Sequence, residues 1–200
     1  MTAFASGFLL GLSLIFVIGP QNAFLLRQGL RGEHVFALCM ICTISDAILI
    51  LAGVGGLGAL IEAAPMLGPL MRYGGAAFLV WYGLRSLHAA FMESEHLDPA
   101  AAGAPSLASA VGTVLALTWL NPHVYLDTVL VVGAVGSTFG GERWLFAAGA
   151  TAASALFFFS LGYGAAALRP VFARPAAWRV LDISVAAIML GVAAGLVLGA

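Results

Sequence analysis

Two short proline-containing stretches, each inside a long run without charge, decide the fold: Gly19-Pro20-Gln21-Asn22 and Asn121-Pro122-His123-Val124-Tyr125-Leu126-Asp127. No charged residue precedes Arg27, and none lies between Asp98 and Asp127. A proline inside a helix removes a backbone donor and clashes with the preceding turn, which costs about 3 kcal/mol. Two interrupted apolar helices at similar places in the two halves of a chain are typical of the substrate site of a secondary transporter.

The composition around these stretches predicts an integral membrane protein. Of the 200 residues, 62% are hydrophobic and 8% are charged, whereas soluble domains carry about 25% charged residues. The net charge of −1 gives no electrostatic basis for binding nucleic acid. The N-terminus lacks the basic region of a signal peptide, so we expect its apolar run to be a retained first helix.

Six apolar segments are each long enough to cross a bilayer, which takes about 20 residues. They cover residues 3–26, 35–61, 66–91, 107–133, 144–168 and 179–199. The third segment contains Arg72 and Arg85, about 20 Å apart along a helix. We expect both side chains to extend to the two interfaces; the alternative is that one of them pairs with an acid inside the membrane.

The two halves of the chain show weak self-similarity. Gly19-Pro20 aligns with Asn121-Pro122, and three further pairs share one offset: Ser45 with Ser154, Gly53 with Gly162, and Gly55 with Gly164. We therefore expect one transporter domain over residues 1–200, with repeat one at about 3–91, a flexible polar linker at 92–106 and repeat two at about 107–199. Three helices per repeat is an odd number, so the second repeat must be inverted. The predicted fold is an all-α integral membrane protein with six transmembrane helices in two inverted three-helix repeats.

The distribution of arginine predicts the orientation, since the chain has no lysine. Six arginines lie in the connections after the first, third and fifth segments or at the segment ends beside them: Arg27, Arg31, Arg85, Arg169, Arg174 and Arg179. Arg72 and Arg143 lie at or beside the other connections. Because cytoplasmic connections are enriched in basic residues, both termini are expected to face outward.

Two acidic residues lie inside apolar segments, where a charged group is energetically unfavourable. Asp46 is near the middle of the second segment, and Asp127 follows the second proline by one and a half turns. A carboxylate at the bilayer centre costs about 2.5–3.5 kcal/mol on insertion scales. We expect both to bind a cationic substrate, a proton, or each in turn; the alternative is a neutral or arginine-paired carboxyl group that joins helices. A third acid, Asp182, is expected to be a capping or interfacial charge at the start of the last helix.

Polar side chains flank both prolines. Backbone can be broken inside a membrane only where it is buried in protein or lines a cavity. Gln21, Asn22 and Asn121 are therefore candidates to hold the α-carboxylate and α-ammonium of an amino acid; alternatively, they only satisfy backbone groups at a kink. His123 is a candidate proton relay or a structural residue. The helix-break residues themselves are Gly19, Pro20 and Pro122.

The remaining residues give little sign of other chemistry. Cys39 and Cys42 have the spacing of a redox dithiol, but two apolar cysteines on one helix face fit as well. No phosphate-binding loop, zinc ligand set or nucleophile elbow is present. We expect no enzymatic activity, no catalytic residue, no metal and no cofactor.

The motifs resemble those of the lysine/arginine exporter (LysE) family. The resemblance rests on Gly19-Pro20-Gln21-Asn22-Ala23-Phe24, Ile44-Ser45-Asp46, Arg143-Trp144 and, most specifically, Thr118-Trp119-Leu120 followed by Asn121 to Asp127. It covers nearly the whole chain and implies gradient-driven export of L-lysine or L-arginine across a bacterial inner membrane. Asp127 favours cationic substrates, because neutral amino-acid exporters of the wider superfamily lack an equivalent acid.

The leading hypothesis is thus a multi-pass inner-membrane antiporter that exports basic L-amino acids. Its partners are a cationic amino acid and the lipid bilayer, but no nucleic acid, and a homo-oligomer is left open. The alternatives are an exporter of another small solute, such as a neutral amino acid or a divalent cation, a membrane thiol oxidoreductase, and a purely structural membrane subunit.

Overall fold

The computed structural model describes residues 2–16, 19–57, 67–92 and 106–198, and all regular elements within these ranges are helical. The longer helices are α1 (Ala3–Ile15), α2 (Pro20–Arg31), α3 (Val35–Ala52), α4 (Leu67–Met92), α5 (Leu107–Trp119), α6 (Pro122–Ser137), α7 (Arg143–Gly164) and α8 (Pro175–Leu198). Nearly all of the predicted linker, residues 92–106, lies outside the described ranges.

Each of the two prolines in the break motifs begins a helix. Pro20 is the first residue of α2 and Pro122 the first of α6, where the missing N–H costs nothing and the fixed φ suits a helix. The axes of α1 and α2 differ by 82°, and those of α5 and α6 by 60°. The predicted first and fourth segments are therefore bent helix pairs.

The prediction of an all-helical membrane protein is confirmed, in a coarser form than it was made. Among the described residues, three helices are long and apolar enough to span a bilayer: Val35–Gly56, Gly140–Leu168 and Ala176–Leu198. Counting each bent pair as one span gives up to five. The third predicted segment does form the 26-residue helix α4, but it is not among these spans. The last helix begins at Pro175, four residues earlier than expected.

Glycine lets α1 approach α7. A Cβ atom at Gly149 would overlap the backbone carbonyl of Phe4, and one at Gly7 would overlap that of Phe146. Close backbone approach of this kind is how helices associate in lipid, where hydrophobic burial gives no net drive. α7 also packs on α3, so it lies between α1 and α3 and forms part of the interior.

Helices α4 and α8 pack along each other and exchange arginine contacts. Arg72 of α4 donates to the carbonyls of Leu196 and Val197 at the end of α8. In return, Nε of Arg179, near the start of α8, donates to the carbonyl of Ala90 at the end of α4 (3.1 Å). Cations favour the last carbonyls of a helix, so Arg72 binds a helix end and not an intramembrane acid.

We predict that Gly149→Ala lowers the melting temperature of the detergent-purified protein. The added methyl group must push α1 from α7, and overpacking of this kind costs about 1–3 kcal/mol. Gly112→Ala on α5 is the matched control: its Cβ would meet open space, and alanine is the better helix former by up to about 1 kcal/mol. A Gly149→Ala protein as stable as the Gly112→Ala protein contradicts the packing described for α1 and α7.

Candidate functional site

A cavity of about 310 Å³ lies where the two broken helices meet α3 and α7. Its size is at the lower end of the range for small-molecule sites, about 300–1,000 Å³. Eight of the nine predicted site and helix-break residues line it; Pro122 is not among the lining residues. The eight are Gly19, Pro20, Gln21, Asn22, Asp46, Asn121, His123 and Asp127.

Asp46 is the buried acid of the cavity. It lies on α3 with 8% of its surface exposed. Its Oδ2 atom accepts a hydrogen bond of 2.7 Å from the hydroxyl group of Ser154 on α7. The preceding residue, Ser45, accepts a hydrogen bond of 3.2 Å from the indole of Trp119 on α5. The carboxylate is thus fixed between helices from both halves of the chain.

Asp127 is the exposed acid of the cavity. It lies in the π-helical stretch of α6, Tyr125–Val131, and π-helical turns inside helices occur often at functional sites. Within the described part of the chain, neither Asp127 nor Asp46 forms a salt bridge with an arginine. No arginine lines the cavity. Within the described part of the chain, the site therefore carries two acids and no arginine.

Side chains carry hydrogen bonds across both breaks. At the first break, the side-chain amide of Asn22 donates a hydrogen bond of 3.0 Å to the carbonyl of Ile15, at the end of α1. At the second break, the hydroxyl group of Tyr125 donates a hydrogen bond of 2.9 Å to the carbonyl of Trp119, at the end of α5. The amide of Asn22 thus satisfies a backbone group, as the kink alternative expected, while it also lines the cavity.

The two helix starts at the breaks are capped differently. Gly19 precedes α2 and offers no side chain as a cap. Asn121 precedes α6, and its Oδ1 accepts the backbone N–H of His123 (3.2 Å). On α2, Oε1 of Gln21 accepts the hydroxyl group of Thr118 (2.8 Å), which ties the first break to α5. His123 is exposed and lines the cavity.

The expectation for Asp182 is wrong. The residue lies two turns into α8, because the helix begins at Pro175, and it is buried with 5% exposure. Its Oδ1 forms an ion pair with Arg27 of α2 at 3.1 Å. Neither residue lines the cavity. Asp182 is therefore neither a helix cap nor an interfacial charge, but part of a buried contact between α2 and α8.

The structure gives no support to the redox and metal alternatives. Cys39 and Cys42 are free thiols with no exposed surface, and neither lines the cavity. Cys39 donates to the carbonyl of Phe158 (3.2 Å), as a packed core residue would. No group of three His, Cys, Asp or Glu side chains among the described residues could hold a metal ion.

Three polar residues that form hydrogen bonds in the site were assigned no role there from the sequence: Ser154, Thr118 and Trp119. Ser154 contacts Asp46, Thr118 contacts Gln21, and Trp119 contacts Ser45. The match of Ser154 to Ser45 in the internal repeat was the available signal for the first. A hydroxyl group inside an otherwise apolar run could have pointed to the second.

Comparisons with known proteins identify the family. The model of the LysE type translocators matches residues 12–200. This chain belongs to the LysE family. The family consists of transporters rather than enzymes, and its members are amino-acid exporters. The spans and the family together make this chain a multi-pass protein of the bacterial inner membrane.

Several curated relatives are similar over nearly their whole length. A Mycobacterium bovis protein, named as a candidate amino-acid transporter, is 50% identical over 91% of this chain and 90% of its own length. The lysine exporter LysE of Corynebacterium efficiens is 36% identical over 99% of both chains. The arginine exporter protein ArgO of Yersinia enterocolitica is 42% identical over 94% of this chain and 93% of its own. No solved structure matches the chain.

We predict that Asp182→Asn strongly destabilises the protein, because it leaves the partly buried Arg27 cation without its ion pair. Removing one partner of a buried pair costs on the order of 3–5 kcal/mol. Thermal unfolding in detergent measures the effect, and Glu142→Gln, at an exposed acid, is the matched control. The exchange Arg27→Asp with Asp182→Arg should recover part of the loss. Equal stability of the Asp182→Asn and Glu142→Gln proteins would show that the ion pair is not structural.

Proposed function

We propose that this LysE family member exports basic L-amino acids, lysine and/or arginine, and that membrane gradients drive the export. The observation that carries the proposal is the cavity with two acids and no arginine among its lining residues. Acids inside a membrane are retained at a cost of several kcal/mol, and they mark substrate or proton sites. A cationic side chain supplies the charge that the cavity lacks.

In this proposal, Asp46 and Asp127 hold the side-chain cation or exchange it for a proton, so that export is antiport with protons. Asp46 is buried between α3 and α7, whereas Asp127 is exposed on α6. A substrate that enters the cavity therefore meets Asp127 in a wetter environment than Asp46. The exposed His123, in the first turn of α6, passes protons to and from the site.

The α-amino-acid group is placed at the two breaks. Gln21, Asn22 and Asn121 line the cavity together, and their amide groups offer both donors and acceptors. The start of α2 adds a helix N-terminus, which favours a carboxylate. The substrate would then span the cavity, with its α-carboxylate at α2 and its side-chain cation at the acids.

The relatives support this substrate class and leave its two members unresolved, because both lysine and arginine exporters are similar over nearly the whole chain. A neutral amino acid would leave both acids without a counter-charge, and sites reject ligands that leave buried charges unpaired. A divalent cation prefers several oxygen ligands in a compact shell, and no group of three His, Cys, Asp or Glu side chains among the described residues could hold a metal ion.

We also propose that the chain forms six spans in two inverted repeats, with α1–α2, α3 and α4 equivalent to α5–α6, α7 and α8. Reciprocal contacts favour this arrangement. Asn22 reaches back to the end of α1 as Tyr125 reaches back to the end of α5. Arg72 and Arg179 likewise each bind the end of the other's helix. Alternating access then comes from rocking the repeats about the two breaks.

We predict that Asp46→Asn and Asp127→Asn each reduce lysine and arginine efflux at least about tenfold. Losing the charge removes a contact to a cationic group that is worth about 1.5–3 kcal/mol. Efflux from cells loaded with a lysine or arginine dipeptide measures the effect, at membrane protein levels matched by immunoblot. Glu142→Gln is the control for charge loss outside the cavity. Full efflux of both amino acids by both acid variants would contradict the proposal.

The orientation has its own test. In a Cys39→Ala, Cys42→Ala background, Thr138→Cys lies after α6 and Arg174→Cys lies before α8. A membrane-impermeant maleimide should label Thr138→Cys in intact cells, but Arg174→Cys only after permeabilisation. The reverse pattern would place the termini in the cytoplasm, and labelling of both sites in intact cells would reject the proposed arrangement of spans.

A further inference from the structure

The two carboxylate oxygens of Asp46 are not equivalent. Oδ2 accepts the Ser154 hydroxyl group at 2.7 Å. Oδ1 makes no hydrogen bond with a described residue, and it is not among the enclosed polar atoms that lack a partner. Asp46 and Ser154 both line the cavity. A ligand there meets a carboxylate whose Oδ2 atom already accepts one hydrogen bond and keeps one further acceptor site, whereas both acceptor sites of Oδ1 are open to a ligand.

Ser154 is held firmly enough to keep this arrangement. Only 3% of its surface is exposed, and it lies inside α7 between Ala150 and Phe158, which are also buried. The close packing of α7 against α3 fixes the distance between the two side chains. The hydroxyl group therefore stays within hydrogen-bonding distance of Oδ2.

The two side-chain cations of basic amino acids differ in what they need from such an acid. A guanidinium group is a planar fork that binds a carboxylate best through two parallel hydrogen bonds, one to each oxygen. An ammonium group is a compact charge that is satisfied by a single oxygen and can turn its other donors to other acceptors. A guanidinium group that binds both oxygens must share Oδ2 with the Ser154 hydroxyl group, whereas an ammonium group can bind Oδ1 alone. This acid therefore fits an ammonium group better than a guanidinium group.

We propose that Ser154 is a specificity-determining residue: its hydroxyl group competes for Oδ2 of Asp46 and so favours the ammonium group of lysine over the guanidinium group of arginine. The inference rests on the proposed function, since it assigns the side-chain cation to Asp46. It goes further by naming the chemical class of cation preferred and the residue on the other half of the chain that sets the preference. Ser154 acts through Asp46 and is a positioning residue.

The test compares lysine with arginine in the same proteoliposomes. The ratio of the half-saturating concentrations for counterflow is measured for the unsubstituted protein and for Ser154→Ala. Without the Ser154 hydroxyl group, a guanidinium group no longer shares Oδ2 with another donor, so the ratio should shift toward arginine by roughly three- to tenfold, the worth of one hydrogen bond. A merely structural role for Ser154 lowers transport of both amino acids and leaves their ratio unchanged.

Three further variants make the result specific. Ser154→Thr keeps the hydroxyl donor and should retain the original ratio. Ser154→Cys has nearly the same shape but a weak donor, so it should shift the ratio in the same direction as alanine, and it replaces alanine if that protein does not fold. Ser160→Ala makes the same change at an exposed position of α7 and should leave the ratio unchanged.

The outcomes separate the inference from the proposed function. Transport of both amino acids with the same ratio in Ser154→Ala or Ser154→Cys as in the unsubstituted protein overturns the inference alone, as does a shift toward lysine. Absence of lysine and arginine transport by the unsubstituted protein overturns the proposed function and the inference with it. A shift toward arginine in the alanine and cysteine variants, with none in the threonine variant, supports both.

Discussion

A broken helix inside a bilayer has backbone groups that water cannot satisfy, and the rest of this structure depends on how the chain answers that constraint. At the first break Asn22 binds the end of α1, and at the second break Tyr125 binds the end of α5. The breaks are thereby stable enough to be fixed features. The breaks bring polar side chains from both halves of the chain to one cavity. Unbroken helices would hold these side chains farther from each other.

In the same low-dielectric surroundings, a carboxylate is costly unless a cation balances its charge. Asp182, buried outside the cavity, is paired with Arg27. Among the described residues, Asp46, buried at the cavity, has only the hydroxyl group of Ser154 as a hydrogen-bond partner of its carboxylate, and a neutral donor does not balance a charge. The acid that joins helices is thus paired with an arginine, whereas the two cavity acids are not. This contrast supports a structural role for Asp182 and the binding role that we propose for Asp46 and Asp127.

Much of the site could be predicted because membrane composition makes polar residues conspicuous. Prolines and acids in uncharged runs pointed to Asp46, Asp127 and the two breaks. What could not be predicted depends on packing between distant segments. Ser154 lies 108 residues from Asp46 along the chain, and nothing local in either stretch shows that they meet. Asp182 was misplaced because the apolar segment was taken to begin at the charged Arg179, whereas the helix begins four residues earlier, at Pro175. The count of spans depends on α4, whose Arg72 is stabilised by the end of α8 and whose hydropathy is therefore a poor guide.

The central claim is that the cavity binds an amino acid with a cationic side chain, and the most direct measurement is counterflow of labelled lysine by the unsubstituted protein in liposomes. Unlabelled competitors would be arginine, norleucine, which is lysine without its side-chain ammonium group, and calcium. The account predicts uptake of label that arginine suppresses and that norleucine and calcium leave unchanged. Suppression by norleucine as strong as by arginine would contradict it, because the acids of the cavity would then play no part in recognition.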